Sequence, residues 1–135
     1  MKPAQASVVL AALILGPCVT NAQEQIVRLQ CDGTVSFYDK NPPIRDVSVN
    51  GIYLEIGGHS IKVAGSMGWD GAYEIKRTDA ASVFFVSSLN SDNFGSVNKY
   101  SGEFQLNRAQ NAQLRESLKM LAMTRGVCRP AKPLF

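Results

Sequence analysis

Apolar and polar residues alternate with a period of two along most of the chain between positions 27 and 106, and glycine or asparagine bounds most stretches. That is the signature of half-buried antiparallel strands. Val27, Leu29 and Cys31 fall on one face, with Arg28 and Gln30 on the other. Asp32-Gly33 reads as a turn, and Val35 and Phe37 resume the alternation until Asn41-Pro42-Pro43 breaks it. Asn50-Gly51 and Gly57-Gly58 read as two-residue hairpin turns, because both tolerate positive φ. In that register Val49 faces Ile52, Ile52 faces Val63, Leu54 faces Ile61 and Ile56 faces His59. Tyr53 and Glu55 then lie on the wet side, opposite Lys62 and Ser60. Further strands are predicted over 73–77, 82–87, 95–100 and 103–106. Val83-Phe84-Phe85-Val86 is apolar on both faces and should be the most buried. Phe104 and Leu106 face in, while Glu103 and Gln105 face out.

After Asn107 the period changes. Ala109, Ala112, Leu114, Leu118 and Leu121 have helical spacing, Asn107 is an N-cap candidate and Gly126 can end the helix. The pattern therefore predicts a mainly β, β-rich α+β fold. An antiparallel meander closes into a small barrel or a two-layer sheet, with one C-terminal helix over about 108–123.

The first 22 residues stand apart from this pattern. Lys2 gives a positive start, residues 8–15 (VVLAALIL) form an apolar run too short to span a bilayer, and Thr20-Asn21-Ala22 offers small residues. Together they predict an export signal cleaved after Ala22, and one domain over 23–135 working in the periplasm or outside the cell. Cys18 lies in that signal, and Pro17 before it argues against lipoprotein processing. No stable membrane insertion of the mature chain is expected.

The formal charge is +3, and loss of the signal removes Lys2 and no acid. The basic residues are spread out, so nucleic acid is not an expected partner. Arg125, Arg129 and Lys132 read as a solvated tail. Cys31 and Cys128 are the cysteines left after cleavage. In an oxidising compartment they predict a disulfide. A metal would need more ligands than these thiols and the single His59, and no cofactor or metal is expected.

No complete catalytic motif is present. Ala64-Gly65-Ser66-Met67-Gly68 departs from a serine-hydrolase elbow at its first residue and lies in a β-turn context. His59, at a hairpin end, reads as structural. Trp69-Asp70-Gly71 with Tyr73 has two readings: a contact loop for a protein or a sugar, or a tryptophan folded back over the core. Asp70, Glu74 and Asp79 are too scattered for a glycosidase pair. Asn98-Lys99-Tyr100 before Ser101-Gly102 reads either as a polar recognition loop or as a tight hairpin, and ordinary turn chemistry favours the hairpin.

Four short motifs carry a resemblance. They are Cys31-Asp32-Gly33, Gly71-Ala72-Tyr73, the hairpin from Gly95-Ser96-Val97-Asn98 to Lys99-Tyr100-Ser101-Gly102, and Cys128 followed by Lys132-Pro133-Leu134-Phe135. In these the chain resembles a loose group of small exported proteobacterial proteins, which supplies no activity to transfer. Lys99 stands where that pattern has arginine. In size, compartment and topology the chain is also similar to the periplasmic lysozyme inhibitors of the membrane-bound C-type class, small barrels with paired terminal cysteines. It lacks their Ser-Gly-x-x-Tyr segment, for which Gly71-Ala72-Tyr73 is a poor substitute. The expected function is a non-enzymatic exported binding protein for a protein or a cell-wall component, using loops 65–71 and 90–95. Inhibition of a cell-wall hydrolase is the alternative, and a small enzyme using scattered carboxylates is the third.

Overall fold

The computed structural model describes residues 25–110 and 118–132. Eight strands carry the alternation there: β1 (Val27–Phe37), β2 (Ile44–Gly57), β3 (Ser60–Ala64), β4 (Gly71–Thr78), β5 (Ser82–Ser87), β6 (Asn93–Asn98), β7 (Glu103–Gln110) and β8 (Lys119–Pro130). Each pairs antiparallel with its sequence neighbour, and β8 returns to β1, so the sheet closes into a barrel. Closure gives each strand a partner on both sides, although residues 44–52 of β2 run past the end of β3 and pair with β1 alone. The export signal, with Cys18 and the cleavage site after Ala22, lies outside the described residues.

The inward faces supply the core. Val35, Ile52, Leu54, Ile61, Phe85 and Leu106 are fully buried. The outward positions are charged: Glu55 meets both Arg28 (3.3 Å) and Lys62 (3.8 Å), and Glu74 meets Lys76 (3.4 Å). Exposed pairs of this kind add little stability. Phe104 and Leu106 face in as expected. The apolar strand β5 is divided: Val83 and Phe85 are buried, whereas Phe84 and Val86 are half-buried, and the Arg77 guanidinium lies 4.2 Å above the Phe84 ring.

The C-terminal helix is corrected. Residues 108–110 finish β7 and residues 119–123 begin β8, with the segment 111–117 outside the described residues. The fold is all-β among the described residues. In β8 the buried positions are Ala122, Thr124 and Cys128, a period of two whose inward members are small or polar. Leu118 and Leu121, which made the helical spacing, are not core residues. Pairing decides the outcome: β8 satisfies the backbone of β1 and β7 together, which a helix could not do. Asn107, the supposed cap, pairs with Phe94 and Met123 inside the sheet.

Three turns also differ. Asp32-Gly33 runs through the middle of β1, and Gly33 faces Gly126 across the barrel seam. A Cβ on Gly33 would lie 2.0 Å from the Arg125 carbonyl oxygen, so glycine here serves close backbone approach. Asn50-Gly51 is a bulge within β2. Gly51, at φ 75°, donates its N–H to Asp32 Oδ1 at 2.8 Å. The β2–β3 hairpin turns on Gly58-His59, one residue later than expected, so Ile56 faces Ile61 and Leu54 faces Val63. Only the first loop position needs positive φ, and Gly58 provides it at 58°.

Candidate functional site

The two ends of the barrel are built differently. At one end the β3–β4 loop folds over the opening. Asp70 accepts hydrogen bonds from the Ser66 N–H (2.8 Å) and hydroxyl (2.6 Å), and the Ser66 hydroxyl accepts the Trp69 N–H (2.9 Å). This tight turn drives the Trp69 side chain inward, where it is 0 % exposed. Arg108 lies 5.1 Å from the indole ring, bonds the Gly68 carbonyl and reaches Asn93 Oδ1 at 3.0 Å. From below, the Tyr73 hydroxyl donates to the Trp69 carbonyl at 2.7 Å, and its ring meets Phe85 edge-on at 5.4 Å. Burial pushes the Tyr73 phenol up to about 12.

Of the expected contact loop, Trp69 and Tyr73 are therefore buried, and Asp70 alone is exposed. Both loops expected to make contact, 65–71 and 90–95, lie at this sealed end. Ser66 is occupied by its own turn, and His59 sits at the opposite end of β3, so the two cannot form a nucleophile and base. Asp70, Glu74 and Asp79 go to three places: the sealing loop, the outer face of β4 and the β4–β5 turn. Asp79 accepts the N–H groups of Ala81 and Ser82, which hold its carboxyl below the usual range. No group of three or more metal-ligating side chains occurs among the described residues.

The other end is open. It is formed by the starts of β1, β5 and β7 and the ends of β2, β6 and β8. The inward alternation of those strands continues to the rim, and among the described residues no loop folds over it. Val27 is 46 % exposed, and Leu29 and Ile56 are only half-buried against the core. Together with Val83 and Val97 they surround a cavity of about 530 Å³. Such a volume falls in the range of small-molecule sites, which barrels carry in their mouths. The sulfur atoms of Cys31 and Cys128 stand 2.00 Å apart, at disulfide distance, and join β1 to β8, with Cys128 lining the cavity. One side of the mouth is the β6–β7 turn. Gly102 N–H bonds the Asn98 carbonyl at 3.1 Å, and Asn98 Oδ1 accepts the Tyr100 and Ser101 N–H groups. This is the tight hairpin read from the sequence, and it also holds Tyr100, 83 % exposed, at the rim.

In the sequence Val27, Leu29, Ile56 and Val83 read as ordinary members of apolar faces, which left the mouth unseen. Their alternation carries no mark of where a barrel ends. A second hollow, on the outer face between β4 and β6, is lined by Phe84, Phe94 and Glu74. It is more open and has no converging strand ends. The molecule belongs to the class of closed eight-stranded barrels with an apolar interior, and its outer face carries charges on β1 to β4. No family model, curated protein or solved structure matches the chain.

Proposed function

We propose that the protein is an exported, non-enzymatic binding protein that holds a small apolar ligand in the open mouth of its barrel. The observation that carries this reading is the asymmetry of the two ends. One is sealed by Trp69 under Arg108, while the other leaves Val27, Leu29 and Ile56 accessible around a cavity. Apolar side chains that point along the core yet stay wet gain free energy when a ligand removes their surface from water, about 25 cal/mol per Å². The outward charges on β1, β2, β3 and β4 suit a barrel surrounded by water. A barrel seated in a membrane carries the reverse alternation. The signal-like start of the chain supports export.

The test is fluorescence of anilinonaphthalene sulfonate titrated with the folded protein. Wild type should enhance its emission saturably, and Val27→Asp should weaken the binding at least tenfold. Because Val27 is already half in water, the variant should keep its melting temperature. Equal binding by both proteins would place the dye elsewhere and remove the mouth as the functional site.

A further inference from the structure

We infer that the mouth takes a single unbranched alkyl chain bearing an anionic head, the chain entering end-on and the head staying at the rim beside Lys99. This deepens the binding reading above and rests on it. The lining first excludes polar ligands. Its body is aliphatic: Val27, Leu29, Ile56, Val83 and Val97. Several backbone groups and side-chain acceptors of the adjoining turns already serve one another. Asn98 Oδ1 is taken by two backbone N–H groups, the Lys99 N–H by the Ala81 carbonyl, and the Ser101 hydroxyl by the Glu103 N–H. The Gly102 carbonyl is taken by the Cys128 N–H at 2.7 Å. A sugar or a peptide would bury hydroxyls or amides against this wall without partners, and that costs free energy. An alkyl chain has no such groups.

The shape excludes bulky ligands. Below the mouth the barrel is filled by Ile52 and Leu54, both fully buried, and the Cys31–Cys128 link holds two of its walls together. A narrow chain can enter from one end and reach down to Ile52 and Leu54, whereas a fused ring system can cover only the rim around Val27. Charge sets the head. Among the described residues that line the cavity, Lys99 is the one ionisable cation and none is an acid. Asp79 lies near enough to feel the Lys99 charge, but its carboxylate is held by the β4–β5 turn. The exposed Tyr100 stands next to Lys99, with an apolar ring to flank the chain and a hydroxyl in water.

The chain could belong to a free fatty acid or to a membrane lipid, and two arms separate these sources. In the first, sodium decanoate, kept monomeric, is titrated calorimetrically into wild type, Val27→Asp, Lys99→Ala and Phe94→Ser. The expected result is saturable binding by wild type and Phe94→Ser, a loss of at least tenfold in Val27→Asp, and a loss of severalfold in Lys99→Ala. Decyltrimethylammonium, with a similar chain and the opposite charge, should bind at least tenfold more weakly than decanoate. In the second arm, phosphatidylglycerol vesicles are sedimented with the protein; Val27-dependent co-sedimentation assigns the chain to a lipid, and its absence assigns it to the free acid. No binding of decanoate, or binding that ignores Val27→Asp, overturns the inference. If the naphthalene dye still binds in a Val27-dependent way, the alkyl assignment falls and the binding reading stands. If that dependence is lost too, both fall.

Discussion

Trp69 shows how much a single side chain decides. It lies in a glycine-rich bend, which in sequence looks like a surface loop, yet the Ser66–Asp70 turn rotates it into the core. Trp69→Ala should cost about 3–5 kcal/mol by opening a cavity under Arg108, readable in urea unfolding. A cost below 1 kcal/mol would mean that the indole is not packed there. Thr124 is a quieter case. Its hydroxyl is buried and finds no partner among the described residues. Thr124→Val keeps the shape and removes that polar atom, so a gain of about 1 kcal/mol is expected, and a loss would reveal a hidden partner. Tyr73 adds a pH dependence. Its folded phenol ionises at about 12, against 10.0 in an ordinary environment. The stability it carries is complete below pH 10 and is lost as pH rises toward 12, since the unfolded chain ionises first. Tyr73→Phe should flatten that alkaline slope. Which of the two readings of Trp69 held was not legible in the sequence, because it depended on turn hydrogen bonds formed by neighbours four residues apart.

The elements were legible where alternation was strong. β5 has the expected bounds, the strands around 73–77 and 95–100 fall within two residues of β4 and β6, and the strand expected from 103 starts where β7 starts. The errors came from glycine and from small inward residues. Gly33, Gly51 and Gly126 look like turn or cap residues, but each serves a long strand. Gly33 and Gly126 let the seam strands approach, and Gly51 forms a bulge. Ala122, Thr124 and Gly126 give β8 no apolar alternation, so the more visible leucines suggested a helix. Such a strand is defined by its two neighbours rather than by its own sequence. Gly126→Ala would place a Cβ 2.0 Å from the Asp32 carbonyl oxygen, backbone that cannot give easily. It should destabilise by about 1–3 kcal/mol in thermal or urea melts, and a neutral effect would argue against the close β1–β8 seam.

For the whole molecule, the seam joins stability to the site. Cys31 and Cys128 are separated by 97 positions, and a link between them removes about 4–5 kcal/mol of chain freedom from the unfolded state. Asp32 crosses the same seam to Arg129 at 2.6 Å and accepts the Gly51 N–H; these two bonds hold its carboxyl below the ordinary value. Its contribution, like that of Asp79, is present above the unfolded pKa and is lost as pH falls through the lowered folded value. Stability should therefore decline on acidification below about pH 4, and Asp32→Asn should lessen that slope. The cysteine pair was legible from the cysteine count and the expected oxidising compartment, and the barrel was one of two closures that the alternation allowed; the open mouth was not legible, because it is a property of where eight strands stop. The most direct test is a nitrogen-15 correlation spectrum of the oxidised protein titrated with decanoate. The backbone signals of Val27, Leu29, Val97 and Tyr100 should shift together and saturate, while the Trp69 indole signal stays in place. Shifts centred on Trp69, or on Phe84 and Phe94 at the outer face, would contradict the assignment of the mouth.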